Sequence, residues 1–485
     1  MTAAASTGSR RLRWLGCLVA LALAPAARAE TLTLEDCLRE TAANNPAIIA
    51  ARLEVQRATG IRLVLRARAL PTLGVTGTVG YQGAQDTQTL AQRVRQPGGG
   101  ATTTRTTSAR AAQFILIGTE NLEQPLFDAA IPAAWRRGDV GVQLARQNYY
   151  TAAVAQLYLT RALFYQTLRM QERGALLRQA GEVISTNVRT VEGLVNAGLR
   201  GRPDLLSAQV RLANFDPGVA EAAGGYRSSL ALLLQRLGRR LGPGPGGADA
   251  LDRIALRGTL DEAALRFDAE AIGREALARR PDLQALREAV RASREDANIA
   301  RGGYYPRVRL YVAGELLPQS FVRSNRPNAI RSTDQVQTTE IRPGVRGDWT
   351  IIDTGTVRGE AQRIDATRAE TEVLLQRAER NIPGELAGVR ALLDRSAATL
   401  ETLQGNVDVA QNTLNIINAG VAQGINSQLE FLDAQSGFLE TQLGIVDAKF
   451  ALSVARNEFD RITGRFLKYV ADDSTVDAAG RPTRK

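Results

Sequence analysis

Glu430 and Asp433 stand three residues apart in a stretch of helical periodicity, so their carboxylates share one helix face. Paired acids of this kind suit acid and base work on a glycan, the attraction of cations, or nothing beyond a solvated surface. The remaining composition narrows that choice. The 485 residues include no histidine, which removes the usual general base, the commonest metal ligand and the Ser/His and Cys/His nucleophile systems together. The acids do not converge on a compact α/β or barrel scaffold, so no enzyme and no cofactor is expected. All the basic residues except Lys449, Lys468 and Lys485 are arginines, and the net charge is +11. No basic cluster is interleaved with aromatics, so no nucleic-acid partner is expected.

Residues 1–29 read as an export signal. Arg10, Arg11 and Arg13 form the charged start, Trp14 to Leu23 the apolar middle, and Ala27, Arg28 and Ala29 a cleavage pattern before Glu30. An apolar run of about ten residues is too short to span a bilayer, which needs about 20. Cys17 lies inside that run instead of after it, so a lipid-anchor cysteine at the mature start is not expected. Once the signal is removed Cys37 is the one remaining cysteine, and no intrachain disulfide can form.

The elements that must carry Glu430 and Asp433 are long. Apolar or small residues recur at Leu386, Val389, Leu393, Ser396, Leu400, Leu403, Val407, Ala410, Leu414, Ile417 and Val421, in alternating steps of three and four. This is a coiled-coil seam. Gly420 and Gly424 break it, and a second periodicity returns through Leu429, Leu432, Phe438, Leu443, Val446, Phe450 and Val454 to Thr463 and Gly464. A helix of about 70 residues reaches roughly 105 Å, so its stripe is covered only by other rods.

The plan occurs twice. Pro46 after Asn44 and Asn45 is matched by Pro281 after Arg279 and Arg280, and Pro71 by Pro306, both 235 residues on. Leu126, Phe127 and Asp128 match Ile351, Ile352 and Asp353 at 225. Gly198 matches Gly424, Asp204 matches Glu430, Ala208 and Gln209 match Ala434 and Gln435, and Gly238 matches Gly464, all at 226. The first copy spans residues 30–240 and the second 261–464. Residues 241–260, with Gly242, Pro243, Gly244, Pro245, Gly246 and Gly247, read as a linker, and 465–485 as a disordered polar tail.

Each copy has the order helix, strand, loop, strand, very long helix, turn, helix. The first helices are expected over 46–70 and 282–302. Leu73, Val75, Val79 and Tyr81 alternate with Thr72, Thr76, Thr78 and Gln82; Val308, Leu310, Val312 and Leu316 alternate with Arg307, Arg309 and Glu315. Ile341, Val345, Trp349 and Ile351 alternate with Glu340, Arg342, Arg346 and Asp348, while 114–127 is less regular. A period of two is what a strand shows with one face in an apolar medium and the other in water. The stretches 83–111 and 318–337, rich in Gly, Thr, Ser, Gln and Arg, read as loops. Asp128 and Asp353 read as N-caps of the long helices. Pro383 with Gly384 is expected to kink the second of them. Four amphipathic strands leave two open edges, and the smallest transmembrane barrels use eight, so strands must be pooled from several chains.

The ordered, duplicated set resembles the outer-membrane efflux proteins, often called TolC-like, over about residues 32–464. The resemblance is carried by Asn44, Asn45 and Pro46; Leu70 and Pro71; Trp349, Ile351, Ile352, Asp353 and Gly355; Gly424, Glu430, Leu432, Asp433, Ala434 and Gln435; and Thr463 with Gly464. It implies a mainly α fold with a small β part: long-helix hairpins form a periplasmic α-barrel, and four strands per chain contribute to a trimeric 12-stranded β-barrel in outer-membrane lipid. It further implies a homotrimeric exit duct for drugs, small molecules or proteins, working with a periplasmic adaptor (membrane fusion protein) and an inner-membrane pump. Glu430 and Asp433 match family positions lining the tunnel constriction, where three chains would bring carboxylates into a ring and raise one another's pKa. Asp204 holds the equivalent place in the first copy, with Ser207 in place of the second acid. Gly198 and Gly424 would turn the chain at the periplasmic tips, where Arg200 and Arg202 would meet acidic groups of the adaptor. A periplasmic coiled-coil scaffold without a pore is the alternative, and it would have no need of matched alternating strands.

Overall fold

The computed structural model describes residues 30–94, 101–239, 251, 254–260, 265–323 and 332–470. The signal segment, most of the linker and the end of the tail lie outside these residues. Within them each copy runs through the same elements. The first has α1 (Leu34–Asn44), α2 (Pro46–Ala67), β2 (Thr72–Val94), β3 (Ala101–Phe127), α3 (Ala130–Asn196) and α4 (Arg202–Arg236). The second has α5 (Ala269–Arg279), α6 (Pro281–Arg301), β5 (Arg307–Arg323), β6 (Ser332–Asp348), α7 (Thr356–Ala422) and α8 (Gln428–Ile462). The long helices have 67 residues each and the returning helices 35 each.

Several expectations are corrected. The opening helices are each preceded by an 11-residue helix, α1 or α5, and the pair is split where Pro46 or Pro281 restarts the chain. The stretches read as loops are largely strand: β2 pairs with β3 out to Val94 and Ala101, and β5 with β6 out to Arg323 and Ser332. Thr-rich segments such as 102–107 suit an extended backbone even when neither face is apolar. The shortening of the second copy falls in these arms, 17 residues each against 23 and 27. The end of the linker is structured, because β4 (Ile254–Leu256) pairs in parallel with β1 (Glu30–Leu32). The polar tail begins later than expected, since Arg465–Tyr469 forms a 3-10 turn with Phe466 buried. Helix α7 is unbroken through Pro383, and α4 likewise contains Pro217. Pro383 withholds one N–H from the helix, and Ile382 and Leu386 beside it are buried.

The chain divides into two compact units. One, Gln56–Leu144 with Leu286–Val373, contains the antiparallel sheet β2-β3-β5-β6. Register makes it two-faced. The rows Leu73–Leu122–Val312–Pro343 and Val75–Glu120–Gly314–Ile341 lie on one face, and Thr76–Thr119–Glu315–Glu340 on the other. Leu73, Val75, Val79, Ile341 and Val345 are 62% to 70% exposed, far more apolar surface than a water-facing sheet leaves open. On the polar face Arg342 pairs with Glu315 at 2.9 Å, and Arg346 stacks on Tyr311 at 5.1 Å. Tyr311 lies over Gly344, where a Cβ would meet its hydroxyl at 2.7 Å. Strand β3 carries a bulge between Pro125 and Phe127. Polar contacts tie the helices of this unit: Arg66 with Asp139, Arg136 with Glu295, and Arg137 with Asp296.

The other unit, Met1–Val55, Ala145–Ala285 and Leu374–Lys485, holds the apolar cores. Leu32, Phe164, Leu233, Leu237, Leu256 and Val446 form one, and the seam residues Leu386, Val389 and Leu393 join Leu452, Phe459 and Ile462 in another. Each fully buried side chain of this size contributes about 2 kcal/mol by leaving water. Along the rest of the seam, Leu400 to Val421 are half-buried while their neighbours are mostly exposed, as a stripe covered from one side would be. Cys37 is fully buried, and burial pushes its thiol up to about 12, an inert packing residue.

Candidate functional site

The two long helices end alike. Leu199 N–H donates to Leu194 C=O at 2.8 Å and Gly198 N–H to Val195 C=O at 3.0 Å; Ile425 donates to Gly420 at 2.8 Å and Gly424 to Val421 at 3.2 Å. Each is a Schellman turn, which needs a left-handed residue after the helix. Gly198 has φ +72° and Gly424 φ +73°, and a Cβ on either would meet open space, so glycine is required by the backbone angle alone.

The returning helices begin differently. Helix α4 starts after Gly201 with no side-chain cap and with Pro203 in its first turn. Helix α8 starts with a capping box: Ser427 Oγ accepts from Glu430 N–H at 3.2 Å, and Glu430 Oε2 accepts from Ser427 N–H at 2.7 Å. Asn426 Nδ2 donates to the same oxygen at 3.1 Å. These donors, the Ser427 backbone first, hold the Glu430 carboxyl below the ordinary glutamate range. Within one protomer that is the reverse of the mutual elevation expected for a carboxylate ring, because a carboxylate engaged with N–H donors is stabilised in its charged form. Asp433 is exposed one turn along. Asp204 is half-buried, with Arg200 at 3.9 Å.

Arg200 reaches across the repeats. Its Nη2 donates to the Val421 carbonyl at 3.0 Å, supplying a cation and a donor to the C-terminal turn of α7. Arg202 is exposed at the start of α4. Two further bonds join the hairpins, Gln428 Nε2 to Asn187 Oδ1 at 2.6 Å and Arg211 Nη2 to the Leu432 carbonyl at 3.3 Å. Asn187, Arg211 and Gln428 carry no periodicity signal and escape a reading of the sequence. A cavity of about 820 Å3 lies among these turns, walled by Val183, Asn187, Leu199, Arg200, Val421 and Phe431.

At the opposite ends of the long helices, Asp128 Oδ1 accepts from Ala130 N–H at 2.9 Å. Asp353 accepts from Gly355 and Val357 N–H, both at 2.9 Å, and these bonds lower its pKa. The geometry offers turns, caps and surfaces. Among the described residues no group of His, Cys, Asp and Glu is arranged to hold a metal ion, and no helix is long and apolar enough to cross a membrane.

The family described as outer membrane efflux protein matches residues 37–239 and 272–465. The multidrug resistance outer membrane protein MdtP of Shigella flexneri is 24% identical over 311 residues, 61% of this chain and 56% of that protein, so the match spans just over half of this relative. The fold is similar to that of the Campylobacter jejuni CmeC outer membrane channel, with TM-score 0.68, 16% identity, and coverage of 91% of this chain and 87% of that one. It is also similar to the outer membrane protein VceC of Vibrio cholerae, with TM-score 0.65, 16% identity, and coverage of 89% and 96%.

Proposed function

The chain belongs to the outer membrane efflux protein family, and from that premise we propose that it is the exit duct of a multi-component export system. Members of this family are outer-membrane transport components and not enzymes. In the proposed assembly three copies pool their four-stranded sheets into a barrel of 12 strands. The exposed apolar face meets lipid, and the polar face with Glu315, Arg342 and Arg346 lines the passage. Below the membrane the long-helix hairpins of the three copies form a tube in the periplasm.

The single observation that carries the reading is the two-faced sheet, whose edges at β2 and β6 are open among the described residues. Unpaired strand edges beside a lipid-facing surface are too costly to leave open in hydrocarbon, and closure with further copies removes them. The exposed aromatics at the strand ends, Tyr304, Tyr305 and Trp349, suit a membrane–water boundary.

At the helix turns, Gly198, Arg200, Arg202 and Gly424 belong in this reading to the surface offered to a periplasmic adaptor, which couples the duct to an inner-membrane pump. Arg200, already bonded to Val421, shapes that surface, and exposed Arg202 is placed to meet an acidic partner. Glu430, Asp433 and Asp204 are proposed to line the constriction, with Asp433 as the group facing the passage and Glu430 chiefly fixing the start of α8. The transported class is tested by deleting the gene and measuring ethidium accumulation and secreted protein in the same cells. An efflux duct predicts raised accumulation restored by the cloned gene, and a protein-secretion duct predicts loss of a secreted product; no change in either would overturn the proposal.

A further inference from the structure

Where the strands meet the helices, a cavity of about 450 Å3 is lined by Arg68, just past the end of α2, and by Arg307 and Arg309 of β5. Its arginines are less tightly paired than several others of the unit. Several arginines of that unit are locked to acids at hydrogen-bond distance: Arg137 to Asp296 at 2.8 Å, Arg66 to Asp139 at 2.8 Å and Arg342 to Glu315 at 2.9 Å. Around the cavity the acids are engaged otherwise. Asp128 Oδ1 accepts the Ala130 N–H at 2.9 Å, which leaves Arg307 at 3.7 Å from its other oxygen. Glu123 Oε1 accepts from Asn121 Nδ2 at 2.9 Å, and Arg309 stands 3.5 Å from Oε2. Among the described residues none of the three guanidiniums donates a hydrogen bond within the protomer. Leu70, Phe127 and Ile299 supply an apolar wall to the same space.

We propose that this cavity is a binding subsite for an amphiphilic organic anion, with Arg68, Arg307 and Arg309 taking its carboxylate or phosphate and the apolar wall taking its body. Planar guanidiniums with free N–H groups match an oxyanion in pairs. The two nearby acids offset part of the charge, so that an anion is attracted and still released, as a passage requires. The subsite rests on the duct reading for one point, that the polar face carrying Arg309 is the lumenal one. It would make the neck of the passage a filter favouring anionic solutes.

The test uses the full mature protein in detergent without added lipid, titrated with octanoate, and the same protein in planar bilayers under a KCl gradient. Arg307→Gln with Arg309→Gln should weaken octanoate binding at least tenfold and lower the anion-to-cation permeability ratio about threefold. Arg342→Gln, a closely paired arginine on the same sheet face, should leave octanoate binding unchanged, and Glu123→Gln should raise the permeability ratio. Equal octanoate affinity in the double variant and the unmodified protein would overturn the subsite, as would a shift of the ratio in one direction for both Glu123→Gln and the double variant. Binding to phosphatidylglycerol vesicles with no response to octanoate would also overturn it, assigning the arginines to lipid. Octanoate binding in a protein that forms no conducting channel would support the subsite and count against the duct.

Discussion

The joints between α1 and α2 and between α5 and α6 have one backbone plan and two chemistries. Asn45 and Arg280 hold nearly the same angles, φ −66° and ψ 125° against φ −63° and ψ 120°, each before a proline that restarts the helix. Asn45 is buried and neutral: its amide donates to the Arg236 carbonyl at 2.8 Å and its oxygen accepts from Ala47 N–H at 3.0 Å. Arg280, equally buried, is held by Asp282 at 2.8 Å and Glu385 at 2.7 Å. Duplication has preserved what the backbone needs and left the polar partner free to change. The requirement is a satisfied polar group at a buried helix break, and either an amide or an ion pair meets it.

The glycines that end α4 and α8, Gly238 and Gly464, differ between the copies in the same way. A Cβ on Gly238 would lie 2.5 Å from the Asn44 carbonyl oxygen, a backbone atom, at φ +81°; on Gly464 the nearest atom would be the Arg279 oxygen at 3.4 Å, at φ +69°. Gly238→Ala should therefore destabilise by about 3 kcal/mol or more, and Gly464→Ala by about 1 kcal/mol, read as shifts in urea midpoint of the detergent-solubilised protein. Equal losses would mean that the two joints are not packed as described. Next in size, Arg280→Ala leaves Asp282 without its cation and Glu385 with Arg461 alone, at 3.5 Å. Because those acids are partly solvated the expected cost is about 2 kcal/mol, below that of a fully buried pair.

Asn45→Ala removes two hydrogen bonds and no charge, with an expected loss of about 1.5 kcal/mol by the same unfolding measurement. The smallest effect is the pH dependence. Burial would raise the Asp282 pKa, but the hydrogen bond and charge of Arg280 outweigh it and the pKa is lowered. A depressed carboxyl contributes stability that is present above its unfolded value, about 3.9, and is lost as pH falls through the folded value. Urea midpoints measured from pH 5 downward should fall less steeply in Arg280→Ala than in the unmodified protein, and just as steeply in Asn45→Ala. The reverse ranking would place the acid-sensitive contact in the neutral joint.

These joints also show what a sequence can and cannot disclose. The prolines, the terminal glycines and the seam from Leu386 to Val421 were legible because each reports a local backbone or packing need. The outer arms of β2 and β3 were not: rows of Thr, Gln and Arg have no apolar face, and it is the pairing across the hairpin that makes them strands. Ser427 and Glu430 carried the spacing of a capping box, yet Glu430 drew notice as half of an acid pair. Arg200 bonding to Val421 joins residues 221 positions apart, which no local pattern encodes.

In the proposed duct the sheet, whose edges at β2 and β6 are free among the described residues, is completed by other copies of the same chain. Native mass spectrometry of the mature protein released from detergent micelles tests it directly. The predicted result is a single assembly of three chains; a monomer that stays in aqueous solution without detergent would contradict it.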